Sequence, residues 1–135
     1  MGRNAIADSG FLVALIRRDD GHHVWAANLA GQFPAPWRTC EAVLSETFFV
    51  AGCAVRHVLV QMLRRRLLVC DFFLGDAQEE VLTLMDKYRD VPMSLADACL
   101  VRMTETVPEP VILSTDTDFL IYRRHSRQVV PCLLP

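Results

Sequence analysis

Short apolar runs of strand length alternate along the chain with segments whose apolar residues recur every three or four positions. The first apolar run covers residues 3–8 and ends on Asp8. It is followed by Phe11, Leu12 and Leu15, a spacing that places apolar side chains on one side of a helix. The pattern predicts a strand that leads directly into a helix.

The same alternation continues to the end of the chain. Further helices are predicted over residues 22–29, 41–51, 55–66, 77–88, 94–105 and 118–123. Further strands are predicted over residues 37–39, 67–72, 111–114 and 129–133. Pro34, Pro36 and Pro92 interrupt the pattern between these elements.

Alternating strands and helices are typical of an α/β fold, in which helices cover both faces of a mainly parallel central sheet. Residues 1–135 have the size of one compact domain, and no repeat or linker divides them. We therefore expect a single three-layer domain. In such sheets the functional crevice lies beyond the carboxyl ends of the strands, where we expect Asp8 and Asp116.

The composition is that of a globular protein. Apolar residues make up 52% of the chain and charges of both signs are scattered through it, which excludes a disordered protein. No apolar run approaches the roughly 18 residues of a membrane helix, so we expect a cytoplasmic protein with no membrane partner. The five cysteines are widely spaced and odd in number, which predicts reduced core residues rather than disulfides or a zinc site.

The net charge of −2 conceals a bias among the basic residues. Thirteen of the 14 are arginine, the side chain best shaped for two-point contacts with phosphate. One run contains Arg64, Arg65 and Arg66, and another contains Arg123 and Arg124. Each run is interpreted either as an RNA-binding element or as a solvated helix end, and the sequence does not separate the two.

Several acids stand where predicted strands end or helices begin. Asp8 and Asp116 each follow a strand, where an aspartate either caps the next element or acts as a ligand. Asp97 follows Ser94 by three residues, which is the spacing of a capping box. Asp118 is a further acid in the same loop as Asp116. None of these acids is diagnostic alone.

Glu46 is harder to explain as part of a solvated surface. Val43 and Val50 lie about one turn to either side and place it beside the apolar stripe of its helix. A buried carboxylate is costly unless it is paired or bound to a metal, and no basic residue lies within one turn. The rival candidate, Glu41, points about 140° away and suits the first turn of the helix.

Carboxylates gathered in one cleft repel one another unless a divalent cation lies between them. A set of oxygen ligands suits Mg²⁺ or Mn²⁺ rather than zinc. The chain lacks a glycine-rich phosphate loop, a Gly-x-Ser-x-Gly nucleophile motif and a His-Glu-x-x-His helix. The adjacent His22 and His23 are candidate metal ligands, but neighbouring residues on a helix point in different directions, which favours a solvated helix start. These observations favour a metal site made of acids.

Four short segments resemble, in order, the successive motifs of PIN-domain nucleases. They are residues 6–12 (IADSGFL), 43–46 (VLSE), 94–98 (SLADA) and 113–119 (LSTDTDF). The resemblance spans nearly the whole chain. It implies a three-layer PIN-like sandwich and a Mg²⁺- or Mn²⁺-dependent ribonuclease that leaves 5′-phosphate and 3′-hydroxyl ends.

The resemblance also implies roles for individual residues. The acidic catalytic and metal-binding quartet is matched by Asp8, Glu46, Asp97 and Asp116. Asp118 matches an acid often found beside the quartet, and Ser9 and Ser114 match the nearby hydroxyl positions. The family more usually has threonine at position 114, but the hydroxyl is retained.

Within that family, the compact size resembles the toxin subunits of VapBC-type toxin–antitoxin systems. This resemblance implies an RNA substrate, an antitoxin protein as partner and a homodimer. Helices predicted over 55–66 and 77–88 favour a partner, because Leu59, Met62 and other apolar side chains exceed the needs of one small core. An ordinary core explains those side chains equally well.

Three other functions remain as alternatives. The chain can be a housekeeping RNA-processing PIN nuclease, or a PIN domain that binds RNA or protein without cleaving. A third alternative is phosphoryl transfer through an aspartyl nucleophile, since Asp8 follows a strand. The haloacid-dehalogenase type of that enzyme requires a second acid two residues later, where this chain has Gly10.

Overall fold

A parallel sheet forms the centre of the computed structural model, which describes residues 3–135. The strands are β1 (Asn4–Ala7), β2 (Trp37–Thr39), β3 (Leu68–Cys70), β4 (Pro110–Leu113), β5 (Arg123–Arg124), β6 (Gln128–Val129) and β7 (Cys132–Leu133). Five of them form one sheet in the order β3-β2-β1-β4-β7, and every pairing in it is parallel. The remaining two, β5 and β6, form a separate antiparallel ribbon.

Six α-helices surround the sheet. They are α1 (Ser9–Ile16), α2 (His23–Gln32), α3 (Glu41–Ala51), α4 (Arg56–Arg64), α5 (Gln78–Lys87) and α6 (Leu95–Thr106). Short 3-10 helices cover Leu74–Asp76 and Thr117–Leu120. The prediction of a three-layer α/β fold with a mainly parallel sheet is confirmed. Within the described part of the chain, every helix is too short or too polar to cross a membrane.

The two central strands place the first acids. Four consecutive residues of β1 pair with four of β4, from Asn4 opposite Pro110 to Ala7 opposite Leu113. The two strands therefore end at the same level. Asp8, the residue after β1, lies beside Leu113, the last residue of β4, and its amide donates to the Leu113 carbonyl at 3.0 Å. Strands buried on both faces are expected in a parallel sheet, and β4 is wholly buried.

The carboxyl-terminal segment departs from the prediction. The strand predicted over 129–133 is wrong, because only Cys132–Leu133 joins the main sheet and Gln128–Val129 pairs with β5 instead. The helix predicted over 118–123 is also too long. His125 and Ser126 both have positive φ angles of 47° and 69°, which make the tight turn between β5 and β6. Neither residue is a glycine, so the usual signal for such a turn was missing.

The prediction that the cysteines are reduced core residues is wrong in part. All five cysteines are free, but only Cys40 and Cys99 are buried. Cys53 is exposed because it lies in the connection after α3, and two others are half-buried because they lie on the edge strands β3 and β7. For Leu59 and Met62 the structure selects the ordinary-core alternative over the partner surface, because both side chains are buried in this chain's own core.

Candidate active site

A cleft of about 470 Å³ opens beyond the carboxyl ends of the central strands. The acids that line it include the four predicted from the sequence, Asp8, Glu46, Asp97 and Asp116. They come from four elements, namely the end of β1, helix α3, the first turn of α6 and the loop after β4. Residues that lie far apart in sequence thus meet because parallel strands end at one edge of the sheet.

Asp8 is held at the base of this cleft with only 6% of its surface exposed. Its Oδ1 accepts a hydrogen bond from the Ser9 backbone N–H at 2.7 Å, and its Oδ2 accepts one from the Ser114 hydroxyl at 2.6 Å. Asp8 therefore caps α1 and lines the cleft at the same time. The two interpretations offered by the sequence are compatible.

Two serine hydroxyls connect Asp8 to its neighbours. Ser9 Oγ donates to Glu46 Oε1 at 2.8 Å, while the Ser9 amide donates to Asp8. Ser114 Oγ donates to Asp8 and accepts the Asp116 amide at 2.9 Å. Each serine therefore orients Asp8 with respect to one other acid of the cleft.

Asp97 is also both a cap and a cleft residue. Its amide donates to Ser94 Oγ at 3.0 Å, and its Oδ2 faces the Ser94 amide at 3.5 Å, so the predicted capping box is confirmed. The Tyr122 hydroxyl donates to the same Oδ2 at 2.9 Å. Among residues 3–135, no hydrogen-bond donor reaches Asp97 Oδ1, which leaves that oxygen to face the cleft.

Glu46 lies in the cleft for a reason other than the one expected. The inference that it is a buried anion is wrong, because the side chain is exposed at the rim. Its neighbours Val43 and Thr47 turn into the core and leave Glu46 beside the opening. The rival Glu41 lines a different cavity of about 490 Å³ together with Cys40 and Cys99.

The loop after β4 separates its two acids. Asp116 lines the cleft, and its Oδ1 accepts the Asp118 amide at 2.8 Å at the start of the 3-10 helix. Asp118 is half-buried but is not among the residues that line the cleft. Its carbonyl oxygen accepts the amides of Ile121 and Tyr122, so it organises the loop.

The cleft carries uncompensated negative charge. Burial raises the pKa of Asp8 to about 6, hydrogen bonds from Ser114 and Ser9 oppose the shift, and the charges of Asp97 and Glu46 add to it. Burial likewise raises the pKa of Asp97, with the Tyr122 bond opposing and the charge of Asp116 adding. Within residues 3–135, no lysine or arginine lines the cleft and none forms an ion pair with its acids.

The donor set fits a hard divalent cation. Glu46 Oε2, Asp97 Oδ1 and Asp116 Oδ2 have no hydrogen-bond donor among the described residues, whereas the other oxygen of each carboxylate is held. Such oxygens are the ligands that Mg²⁺ and Mn²⁺ prefer. In the same part of the chain, no three carboxylate, imidazole or thiol groups lie close enough to form a ready-made metal site. The fit therefore rests on the chemistry of these oxygens and on their presence in one cleft.

Neither arginine run lines the cleft. Arg64, Arg65 and Arg66 are exposed and precede β3, which places them at the amino end of the sheet, opposite the cleft. Arg123 Nη1 donates to the backbone carbonyls of residues 120, 121 and 122, and Arg124 Nη1 donates to that of residue 104. The second run therefore stabilises the fold through the contacts of its guanidinium groups.

Sequence reasoning missed several residues of the cleft. Asp20 and Thr115 line it without having been singled out. His22, interpreted from the sequence as part of a solvated helix start, is the exposed N-cap of α2 and also lines the cleft. Tyr122 contacts the site from an irregular segment 25 residues after Asp97, where no motif marks it. Only a three-dimensional contact identifies such a residue.

Gly10 counts against the aspartyl-phosphate alternative, because the chain lacks the second acid at this position. A Cβ atom here would lie 2.0 Å from Thr115 Oγ1 and 3.2 Å from Thr115 Cβ. Any larger residue at position 10 would therefore require the Thr115 side chain to move.

The fold and site define a three-layer α/β domain with an acidic cleft at the carboxyl edge of its sheet. The family model of the PIN domain matches residues 5–124, and the chain belongs to this family. The crystal structure of Mycobacterium tuberculosis VapC20, described as a toxin that cleaves the sarcin–ricin loop, is similar in fold, with a TM-score of 0.72 and 19% identity. The match covers 85% of this chain and 92% of that one. No protein of curated function matches the chain.

Proposed function

We propose that the chain is a Mg²⁺- or Mn²⁺-dependent ribonuclease that hydrolyses RNA phosphodiesters at the acidic cleft. The observation that carries this proposal is the convergence of Asp8, Glu46, Asp97 and Asp116 on one cleft that no lysine or arginine among residues 3–135 lines. Membership of the PIN-domain family and the likeness to a toxin that cleaves RNA support the same activity.

The residues of the cleft have distinct tasks in this proposal. Asp8, Glu46, Asp97 and Asp116 would hold the cation, and Ser9 and Ser114 orient Asp8 for it. When bound, one or two such ions would polarise the phosphodiester and lower the pKa of the attacking water. In this proposal water attacks phosphorus and the P–O3′ bond breaks, so one product ends in a 3′-hydroxyl and the other keeps the 5′-phosphate.

The activity is tested with purified protein and a 5′-labelled single-stranded RNA. We expect cleavage with Mg²⁺ or Mn²⁺, none in EDTA, and none with Asp97→Asn. The same RNA with a 2′-deoxy sugar at the cleaved position should still be cut, since the 2′-hydroxyl takes no part. Products with 2′,3′-cyclic phosphate ends would contradict the mechanism, and RNA binding without cleavage by the wild type would favour a non-cleaving domain.

We further propose that the ribonuclease is the toxin of a type II toxin–antitoxin pair. The support is the fold shared with VapC20 over 92% of that chain. Induced expression in the bacterial cytoplasm should arrest growth, whereas Asp97→Asn should not. Co-expression of a small neighbouring reading frame should relieve the arrest. Unimpaired growth under strong expression of active enzyme would instead favour a housekeeping nuclease.

The antitoxin and a second copy of the chain are the proposed protein partners. Support comes from apolar side chains that face solvent beside the cleft: Phe49 is 87% exposed, Val24 72% and Val50 57%. Val24 lies on α2 and the other two on α3, and both helices pack on α1. Exposed apolar surface of this kind is typical of protein contacts. Light scattering at micromolar concentration should give the mass of a dimer, and a pure monomer would contradict that part.

A further inference from the structure

We propose that Tyr122 is a positioning residue for Asp97: its hydroxyl holds one carboxylate oxygen so that the other faces the cation of the cleft. This inference rests on the proposed metal-dependent function. The Tyr122 hydroxyl donates to Asp97 Oδ2 at 2.9 Å, and no donor among residues 3–135 reaches Oδ1.

The Tyr122 ring has no freedom to move its hydroxyl away. The residue is fully buried, with 0% of its surface exposed. Its ring makes edge-to-face contacts with Tyr88 at 5.1 Å and with Phe119 at 5.5 Å between ring centres. Such packing fixes the ring and therefore the direction of the O–H donor.

Asp97 depends on this one bond more than Asp8 depends on any of its own. Asp8 has a short hydrogen bond on each oxygen, from the Ser9 amide and the Ser114 hydroxyl. The second contact of the Asp97 carboxylate, with the Ser94 amide, is 3.5 Å long and shares the same Oδ2. Without Tyr122, the Asp97 carboxylate keeps only that long contact and can rotate about its terminal torsion.

The segment that carries Tyr122 is itself held in place. The Tyr122 amide donates to the Asp118 carbonyl at 3.2 Å, and the next residue, Arg123, donates to the Tyr122 carbonyl at 2.9 Å. The Arg123 amide in turn donates to the Tyr88 hydroxyl at 2.8 Å. These contacts explain how an irregular segment can present a donor with fixed geometry.

The test is the Mn²⁺ affinity of Tyr122→Phe, measured by the electron paramagnetic resonance of free Mn²⁺, without any RNA. The variant keeps the packed ring and loses only the donor, so we expect Mn²⁺ affinity to fall by roughly 10–100-fold, the usual cost of losing a partner of a ligand. Tyr88→Phe is the matched control, because it also removes a hydroxyl from this aromatic cluster. The Tyr88 hydroxyl contacts the Arg123 amide and not Asp97. The affinity of Tyr88→Phe should fall much less than that of Tyr122→Phe, because the Tyr122 hydroxyl and its bond to Asp97 are kept.

A double variant separates positioning from general damage to the fold. If Tyr122 acts through Asp97, Asp97→Asn combined with Tyr122→Phe should bind Mn²⁺ no more weakly than Asp97→Asn alone. Replacing Tyr122 by 4-aminophenylalanine keeps the ring and supplies an N–H donor, so it should restore most of the affinity even if the phenylalanine variant folds poorly. Failure of this replacement to restore affinity would overturn the inference.

The outcomes also distinguish this inference from the proposed function. A wild type that binds no Mn²⁺ and cleaves no RNA would contradict the function itself. A wild type that binds Mn²⁺ while Tyr122→Phe and Tyr88→Phe bind equally well would leave the function standing and reject the role of Tyr122.

Discussion

The carboxyl ends of the parallel strands form an acidic edge of the central sheet, and their amino ends form a basic edge. At the carboxyl edge the predicted quartet of acids lines one cleft, and no lysine or arginine among residues 3–135 lines it. At the amino edge Arg64, Arg65 and Arg66 are exposed just before β3. Only the length of β3, three residues or roughly 10 Å, separates the two edges at this strand. The net charge of −2 therefore hides two regions, and only the acidic one has the shape of a site.

The largest expected effect comes from removing one charge at the acidic edge. Asp8→Asn or Asp97→Asn should lower RNA cleavage by more than roughly 100-fold, because each removes a carboxylate ligand with little change in volume. Initial rates on a single-stranded RNA measure the effect.

Helix α3 offers a matched control for this prediction. Glu46→Gln should lower cleavage strongly, whereas Glu41→Gln should not, because Glu41 faces the cavity beside Cys40 instead of the cleft. Equal effects of the two glutamine variants would contradict the assigned cleft. An Asp97→Asn variant that unfolds, yet cleaves normally per folded molecule, would reduce Asp97 to a helix cap.

The next effect concerns divalent ions and thermal stability. Mg²⁺ or Mn²⁺ should raise the Tm of the wild type, since a ligand that binds only the folded state stabilises it by about 2.7 kcal/mol at a hundredfold excess over Kd. The gain should be much smaller for Asp8→Asn. Thermal melts with and without EDTA measure it, and an unchanged Tm together with cleavage in EDTA would disprove the metal mechanism.

A smaller effect is the pH dependence of stability in EDTA. The pKa of Asp8 is about 6 in the folded protein and about 3.9 in an unfolded chain, so the folded state binds the proton more tightly. Stability should therefore fall as pH rises from about 4 to 6, by at most roughly 3 kcal/mol. Asp8→Asn should lose this step and be more stable than the wild type at pH 7. Urea unfolding at pH 4 and 7 would test this, and a wild type that is equally stable at both would refute it.

The smallest effect is expected at the basic edge. The variant Arg64/Arg65/Arg66→Ala should change cleavage by less than about threefold, because the run lies at the far end of the sheet from the cleft. If the run contacts RNA phosphates, its loss in the variant should reduce the salt dependence of RNA binding. The slope of the logarithm of the binding constant against the logarithm of salt concentration should become shallower by about one unit per lost contact. RNA binding measured at several salt concentrations therefore decides between contact and solvated surface, and binding to the co-expressed antitoxin provides the second readout.

Local sequence pattern was sufficient for the elements whose own residues determine them. Strand β2 and helix α3 have the predicted bounds, and the capping box at Ser94 and Asp97 forms as its spacing indicates. These features depend on apolar periodicity and on hydrogen bonds between residues close in sequence. The chain order of strands and helices likewise determined the parallel sheet, because parallel strands require crossover connections.

Tertiary structure decided the features that depend on distant residues. The position of Glu46 at an exposed rim follows from the packing of α3 and was not visible in its helical periodicity. The bond from Arg124 to the Thr104 carbonyl and the bond from the Tyr122 hydroxyl to Asp97 join distant segments without any sequence signal. The physical reason is that periodicity records which side of an element is buried, whereas a hydrogen bond between distant side chains depends on the register and packing of the whole sheet.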